Sequence, residues 1–280
     1  MAITSFEGRT AFITGGASGI GLGIAKALSA RGARIVIADL RPDHIETALK
    51  QFAGGGRSNS VTAIELDVSN RAAYADAADQ MQRDFGGIDI LVNNAGVGVE
   101  GPVLEARYAD WDFGMGVNVG GVVNGIVSFL PQMFTHGRGG HIVNTASLAA
   151  TIVMPEHLAI HSAGKAAVLN LSENMRGALA EKGIGMSVLL PGFVKSNIHE
   201  CAQNRPAQWR DDSGFKASEK KLSEREVGEN WMEPDAVGEM VAKAILNNEL
   251  YIVTHGEFKN RMRARADALL AATPESALQF

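Results

Sequence analysis

Short apolar runs alternate with longer amphipathic stretches along almost the whole chain. The short runs are rich in β-branched residues, and several are apolar on both faces, as in strands that lie between two layers of helices. These runs predict strands at residues 10–14, 34–38, 61–66, 88–92, 141–145, 186–190 and 250–254. Apolar residues at helical spacing predict helices at residues 20–30, 43–52, 71–85, 108–134, 162–181 and 233–247.

The regular alternation of strands and helices decides the predicted fold class. Strands that are separated by helices pair in parallel through right-handed crossovers. The sequence therefore predicts an α/β fold with a single doubly wound, Rossmann-like parallel sheet of about seven strands and helices on both faces. One domain is expected over residues 1–280, because the chain is long enough for one sizeable core.

The stretch from 193 to 232 interrupts this alternation. It is polar and contains Pro206, and four aromatic residues are scattered through it: Phe193, Trp209, Phe215 and Trp231. A long insertion in a compact domain is usually functional, so we expect a lid over the substrate. A surface excursion and a subunit contact are the alternatives. Residues 256–280 predict a polar helical tail that docks on a neighbouring subunit.

Composition and charge narrow the function classes. The net charge of -5 argues against nucleic acid as the main partner. No apolar run approaches the roughly 18 residues of a membrane span, and the N-terminus lacks the layout of a signal peptide, so no membrane partner is expected. Cys201 is the only cysteine, which favours a reducing, cytoplasmic location. A small-molecule substrate is the expected partner.

A glycine-rich loop follows the first predicted strand and leads directly into a helix. Glycines let the backbone approach a pyrophosphate closely, and a helix N-terminus offers unpaired N–H donors and a positive dipole end. Because the loop lies in the first strand–loop–helix unit, it predicts nucleotide binding. The residues expected to contact the nucleotide are Gly15, Ala17, Ser18, Gly19, Ile20 and Gly21.

The second predicted strand is followed by Asp39 and Leu40, at the place where a dinucleotide-binding fold contacts the adenosine. A carboxylate there accepts hydrogen bonds from the ribose hydroxyls and repels a 2′-phosphate. Ser18 adds no cation that would attract such a phosphate. Both residues favour NAD over NADP as the cofactor. Arg41 either tempers this preference or is a solvated surface charge.

The glycine loop, together with Asn93-Asn94-Ala95-Gly96 after the fourth strand, resembles the short-chain dehydrogenase/reductase family. The resemblance continues in order and covers nearly the whole chain. It implies that further residues at the strand ends and in the following segments contact the cofactor: Asp67, Val68, Asn94, Ala95, Gly96, Lys165, Pro191, Gly192 and Val194.

The same resemblance implies the catalytic residues. Asn118 matches the family's structural and proton-relay asparagine, and Ser147 matches the serine that binds the substrate oxygen. Lys165 matches the lysine of the family's Tyr-x-x-x-Lys motif. Enzymes of this kind exchange a hydride between the nicotinamide and a carbinol carbon while the tyrosine moves the hydroxyl proton. The implied activity is the interconversion of a secondary alcohol and a ketone.

The tyrosine of that motif is replaced by His161. A cationic imidazole is disfavoured beside Lys165, so we expect a neutral ring that accepts a proton during alcohol oxidation but is a poor acid for ketone reduction. The expected loss of activity is about 10²–10⁴-fold. Three explanations stay open: a deliberate substitution that traps a bound molecule, drift to a weak enzyme, and a non-catalytic pseudoenzyme that binds dinucleotide. The deliberate substitution is favoured, because every other family residue remains in place.

Two other uses of His161 are disfavoured. His157 and His161 are four residues apart, but no third metal ligand is evident, so no metal site is predicted. Ser147 with His161 suggests a hydrolase pair, but the sequence around Ser147 lacks a nucleophile elbow.

The substrate and the assembly are implied only by resemblance. Residues 194–198 through Arg205-Pro206, together with the long tail, resemble bacterial Cα-dehydrogenases of lignin aryl-ether breakdown. An aryl, benzylic secondary alcohol is therefore expected, with steroid-like or cyclic ketones as the alternative. The family resemblance also implies a homodimer or homotetramer built through the helices at 108–134 and 162–181. The second of these is apolar on more than one side, at Ala166, Val168, Leu169, Leu171, Met175 and Leu179.

Overall fold

The computed structural model describes residues 3–53, 60–224 and 228–275. In these ranges one parallel sheet has seven strands in the order β3-β2-β1-β4-β5-β6-β7. The strands are β1 (Thr10–Thr14), β2 (Arg34–Asp39), β3 (Val61–Glu65), β4 (Ile90–Asn93), β5 (Gly140–Thr145), β6 (Ile184–Leu190) and β7 (Tyr251–Val253). The predicted α/β fold is confirmed, and so is the predicted number of strands.

The described helices lie between these strands and after them. They are α1 (Gly19–Ser29), α2 (Pro42–Phe52), α3 (Arg71–Phe85), α4 (Tyr108–Met115), α5 (Gly121–Thr135), α6 (Ala159–Glu181), α7 (Ala207–Arg210), α8 (Lys216–Ser223), α9 (Pro234–Asn247) and α10 (Lys259–Ala271). Helix α6 begins at Ala159, three residues before the predicted start at 162, so His161 lies in its first turn.

The strand order determines where the ligand crevice lies in the sheet. Strand β1 pairs with β2 on one side and with β4 on the other, so the direction of winding reverses between β1 and β4. In open parallel sheets the loops at the carboxyl ends of the strands diverge at such a reversal, and ligands bind between them. The glycine loop after β1 and the Asn94 segment after β4 flank this crevice.

Alternating side chains of β1 bury an apolar layer on each face of the sheet. Phe12 stacks on Phe129, with ring centroids 4.6 Å apart, and Tyr74 packs edge-on against the same ring. Ile13 points to the opposite face, where it packs with residues of α1 and α9. The two layers hold the strand ends rigidly in place below the crevice.

Helices α1 and α9 cross with their backbones in direct contact. A methyl group at Gly23 would lie 2.2 Å from the Pro234 carbonyl oxygen, and one at Gly238 would lie 2.2 Å from the Gly23 carbonyl oxygen. Only glycine fits at both positions. This crossing fixes α1, whose N-terminus faces the crevice.

The helix predicted at 108–134 contains a wider turn. Gly116–Gly120 forms a π-helical segment between α4 and α5, and it contains Asn118. Such π-turns are frequent at functional sites, because they displace one side chain from the regular helix surface. The sequence pattern did not reveal this segment.

The same continuous helix, Tyr108–Thr135, is long and apolar enough to cross a membrane by length and composition. The expectation that no stretch approached this length is therefore corrected. Half of its most apolar window is buried inside the domain, as in a core helix, so the finding is weak evidence for a membrane span.

Residues 193–232, described except for 225–227, form the segment that we call the lid segment. A parallel bridge between Val194 and Met232 closes its base, and the Ile198–Asn204 3-10 helix, α7 and α8 lie between. Arg205 is buried and pairs with Asp110 of α4 (Nη2 to Oδ1, 3.2 Å) and with Glu219 of α8. This buried ionic contact anchors the second half of the lid segment to the domain.

The tail helix α10 lies on the surface, and none of its residues is buried in this chain. It touches its own domain through two arginines: Arg261 donates to the Val153 carbonyl (2.6 Å) and Arg265 to the Ala150 carbonyl (2.7 Å). Leu269 and Leu270 are exposed. Docking of this tail on a neighbouring subunit stays a prediction, and residues 276–280 lie outside the described ranges.

Candidate active site

A cavity of about 790 Å³ lies at the carboxyl ends of the strands and brings most of the predicted residues together. The predicted residues that line it are Gly15, Ser18, Gly19, Ile20, Asp39, Leu40, Asp67, Val68, Asn94, Ala95, Gly96, Ser147, His161, Lys165, Pro191, Gly192 and Val194. Ala17, Gly21 and Asn118 are not part of its wall. Each of the three contacts a residue of the wall: Ala17 donates to Asp39, Gly21 packs on the Gly15 backbone, and Asn118 bonds to Val97.

The glycine loop has the backbone that a phosphate site needs. Gly15 and Gly19 adopt φ angles of +60° and +47°, in the left-handed region that favours glycine. Ser18 precedes α1 in an extended conformation, and its side chain makes no capping hydrogen bond. The first turn of α1 therefore has no side-chain cap, and an anionic group in the cavity fits its N–H donors.

Asp39 links the end of β2 to the glycine loop. Its Oδ2 accepts from the Ala17 N–H (3.2 Å), and its Oδ1 accepts from the Arg41 N–H (3.1 Å). These bonds orient the carboxylate along the cavity wall, where its remaining lone pairs can accept ribose hydroxyls. Asn94 supports the other side of the loop through Nδ2, which donates to the Thr14 carbonyl at 3.1 Å.

Asn118 and Val97 form a closed pair of hydrogen bonds. The Asn118 Oδ1 accepts from the Val97 N–H (2.9 Å), and its Nδ2 donates to the Val97 carbonyl (3.0 Å). The asparagine is buried, and the π-turn places it there. It fixes the segment after β4 against the helix that bears it.

Lys165 is a buried cation below the cavity. Its Nζ donates to the Thr145 carbonyl at 2.8 Å, which orients the ammonium at the end of β5. Burial disfavours the charged form and lowers the pKa of Lys165 to about 8. The side chain still carries a positive charge at neutral pH.

His161 lies one helical turn before Lys165 and is partly buried. Its Nδ1 is 3.4 Å from the Val97 carbonyl oxygen. A carbonyl oxygen only accepts, so this contact selects the tautomer with hydrogen on Nδ1 and a lone pair on Nε2. Burial first, and the Lys165 charge second, lower the pKa of His161 to about 4. At neutral pH the ring is neutral, as expected from the sequence.

Ser147 follows β5, two residues after that strand ends, and also lines the cavity. Its Oγ accepts from the Ala149 N–H at 3.1 Å, which leaves the hydroxyl hydrogen available to a substrate oxygen. Ser147, His161 and Lys165 therefore offer the cavity a hydroxyl donor, a neutral ring and a cation. This set can bind an alcohol oxygen and accept its proton.

The aromatic residues of the lid segment divide into two groups. Phe215 is buried against Phe113 and Cys201 and holds the lid segment on its own domain. Trp209, Phe193 and Trp231 line the cavity. Trp209 lies 6.2 Å from the Phe113 ring, and Phe193 lies 5.4 Å from the Trp231 ring.

Two of the phenylalanine and tryptophan residues that line the cavity were missed by sequence reasoning. Phe113 reads as an ordinary core position of a helix, and Phe258 lies in the tail, far from any motif. Phe258 packs 6.3 Å from Phe193 and extends the aromatic wall. Only the folded arrangement reveals either residue. Among the described residues, no group of three His, Cys, Asp or Glu side chains is arranged to hold a metal ion.

The profile of the short chain dehydrogenase family matches residues 9–206. The chain belongs to the short-chain dehydrogenase family. Its glycine loop, Asn94, Asn118, Ser147 and Lys165 all fall inside the matched range, and so does the departure at His161. Membership makes the chain an oxidoreductase by family.

Individual relatives and solved structures agree with this family assignment. The C alpha-dehydrogenase of Sphingobium sp. (strain NBRC 103272 / SYK-6) is 40% identical over 270 residues, 95% of this chain and 86% of the relative. The apo form of LigD from Sphingobium sp. strain SYK-6 matches with a TM-score of 0.80 and 35% identity, over 97% of this chain and 100% of that chain. A short-chain dehydrogenase/reductase from Burkholderia phymatum, in complex with NAD, matches with a TM-score of 0.88 and 31% identity. The match covers 99% of this chain and 100% of that chain. The predicted resemblance to Cα-dehydrogenases is confirmed.

Proposed function

We propose that this chain oxidises a bulky, aryl-bearing secondary alcohol to the ketone with NAD, and that His161 makes it a slow catalyst. The observation that carries the proposal is that His161, with Nδ1 3.4 Å from the Val97 carbonyl oxygen, lines one cavity together with Ser147 and Lys165. These residues offer a proton acceptor, a donor to the substrate oxygen and a cation where the family's reaction needs them.

The residues of the cavity fit NAD. The uncapped start of α1 fits the pyrophosphate, and Asp39 fits the adenosine ribose. When bound, NAD supplies the hydride acceptor. Lys165 of α6, whose ammonium donates to the Thr145 carbonyl at the end of β5, would hold the nicotinamide ribose. The relative from Burkholderia phymatum, in complex with NAD, supports this choice of cofactor.

Ser147 and His161 have different roles at the substrate oxygen. The Ser147 hydroxyl donates to that oxygen and orients the carbinol, and the His161 Nε2 accepts the hydroxyl proton as the hydride leaves. A base whose conjugate acid has a pKa of about 4 accepts a proton weakly. The proton transfer therefore limits the rate, and the expected loss against a tyrosine is about 10²–10⁴-fold.

The aryl character of the substrate rests on the cavity wall and on one relative. The pairs Phe113 with Trp209 and Phe193 with Trp231 line the cavity, and aromatic guests pack well against aromatic side chains. The relative named C alpha-dehydrogenase supports a benzylic carbinol carbon as the reacting centre. A hydrolytic or metal-dependent reaction finds no support in the residues of this cavity.

The proposal is tested by steady-state and stopped-flow oxidation of a β-aryl-ether alcohol with NAD. His161→Tyr is expected to raise kcat/KM by about 10²–10⁴-fold, and His161→Phe is expected to lower it by at least about tenfold, because it removes the remaining base. Equal turnover by the chain with His161 and by His161→Tyr contradicts the proposed impairment. Turnover of aliphatic secondary alcohols by His161→Tyr, with no binding of the aryl alcohol, contradicts the substrate class.

We further propose a homodimer or homotetramer with α4 and α5 in the interface. Tyr108 and Trp111 of α4, and Val123, Val127 and Phe134 of α5, expose large apolar side chains. An apolar patch on a continuous helix is typical of a surface that a partner covers. The apolar residues of α6 named above are buried or packed on their own domain, so α5 contributes the more exposed face.

A further inference from the structure

Arg41 is held between carboxylates from two parts of the fold. Its guanidinium contacts Asp43 through two bonds, Nε to Oδ1 at 2.9 Å and Nη2 to Oδ2 at 2.6 Å. Its Nη1 lies 3.8 Å from Oε2 of Glu200, in the Ile198–Asn204 helix of the lid segment. We call Arg41, Asp43 and Glu200 the arginine clamp. The clamp joins the start of α2 to the lid segment across the edge of the cavity.

The charges around the guanidinium are mostly negative. Asp43, Glu200 and Asp39 are all close enough to raise the pKa of Arg41. Two imidazoles face the clamp as well, with His44 at 4.0 Å from Asp43 and His199 at 4.0 Å from Glu200. The positive charge of Arg41 is therefore matched by carboxylates before any ligand binds.

The arginine clamp lies where the 2′-phosphate of NADP would bind. Arg41 comes two residues after Asp39, whose carboxylate fits the adenosine ribose, and Arg41 and Glu200 both line the cavity. An arginine next to this acid is the kind of group that binds a ribose 2′-phosphate, because the planar guanidinium pairs with two phosphate oxygens. In this structure Nε and Nη2 of the guanidinium already bond to the Asp43 carboxylate, and Nη1 faces Glu200.

We propose that Glu200 of the lid segment discriminates against NADP(H), by competing with the 2′-phosphate for Arg41 and by repelling it. The selectivity for NAD then depends on the lid segment and not only on Asp39. The inference rests on NAD as the proposed cofactor, and it is independent of the proposed substrate and of His161.

The test measures binding, so the weak turnover of this chain does not interfere. NADH and NADPH are titrated separately into the full-length protein, with energy transfer from the tryptophans as the signal. Glu200→Gln keeps the shape of the side chain and removes its charge. The ratio of the NADPH to the NADH dissociation constant is expected to fall by roughly five- to tenfold at low salt, and by less at high salt.

Two variants make the result specific. Asp212→Asn removes an exposed lid carboxylate that pairs with Arg107 at 3.0 Å, away from the cavity, and it should leave the ratio unchanged. Arg41→Ala combined with Glu200→Gln should abolish the gain in relative NADPH affinity that Glu200→Gln alone produces, because the 2′-phosphate then has no guanidinium to bind.

Three results overturn the inference: an unchanged ratio in Glu200→Gln, an equal change in Asp212→Asn, or a gain that survives the loss of Arg41. If neither nucleotide binds the chain with Arg41 and Glu200 intact, the proposed cofactor itself is wrong and the inference is wrong with it.

Discussion

The imidazole Nδ1 of His161 lies 3.4 Å from the carbonyl oxygen of Val97. That carbonyl also accepts from Asn118, so one backbone group connects the π-turn to the ring that replaces the tyrosine. The contact favours the tautomer of His161 with hydrogen on Nδ1, which leaves Nε2 as the acceptor in the proposed reaction.

The pH dependence follows from the lowered pKa of about 4 for His161. Alcohol oxidation needs the neutral ring, which predominates above that pKa, so kcat/KM for oxidation should be flat from about pH 5 to 7. Ketone reduction needs the protonated ring, so its kcat/KM should fall about tenfold for each pH unit over the same range. The range stays below the pKa of about 8 of Lys165, whose charge is then constant.

Initial rates in both directions test this prediction. The ratio of the two kcat/KM values must follow the overall equilibrium at each pH, which serves as an internal control. An oxidation rate that rises tenfold between pH 5 and 7 would show that another group accepts the proton.

Asn118→Ala removes both hydrogen bonds to Val97. The carbonyl that orients His161 is then unsupported, and we expect kcat to fall about tenfold while the free energy of unfolding falls by about 1–3 kcal/mol. Gln132→Ala is the matched control. It removes an amide-to-carbonyl bond of 3.2 Å to Ala78, remote from the cavity. A loss of kcat in both variants would indicate general destabilisation and not a positioning role.

Arg205→Met leaves the carboxylates of Asp110 and Glu219 buried without their cation. Breaking a buried ion pair costs about 3–5 kcal/mol, so chemical denaturation should show a loss of that order or separate unfolding of the lid segment. Arg107→Met breaks an exposed pair with Asp212 and should cost no more than about 1 kcal/mol. Equal losses would mean that Arg205 does not anchor the lid segment.

The two candidate subunit interfaces can be separated by one pair of variants. Val127 of α5 and Leu269 of α10 are exposed to a similar extent, 67% and 64%. Val127→Glu is expected to lower the mass in sedimentation velocity, because a charge in an apolar interface is costly. Leu269→Glu is expected to leave the mass unchanged. The reverse pattern would make the tail helix the interface.

The fold was predictable because buried parallel strands are apolar on both faces and because helices separate them. The site was predictable for a related reason. Residues 15–21, Asp39, Asn94 and Ser147 follow strands whose carboxyl ends meet at one edge of the sheet. Distant positions in the sequence are thus brought together by topology alone.

Other features depend on contacts that no local pattern encodes. No local sequence pattern indicates that Arg205, Asp110 and Glu219 pair inside the domain. The π-turn around Asn118 has the same apolar spacing as the helices beside it. Strand β4 begins at Ile90 and not at 88, with the Asp89 carboxylate accepting from the Thr10 N–H at 2.9 Å.

The crossing of Gly23 and Gly238 has a consequence for biosynthesis. Helix α1 is among the first elements to leave the ribosome, and α9 is among the last. Because the two backbones pack directly on each other, α1 lacks this contact until residues 234–247 of α9 have been made. The dinucleotide site is therefore completed late in translation, so a truncated chain that ends before α9 should be unable to retain the cofactor.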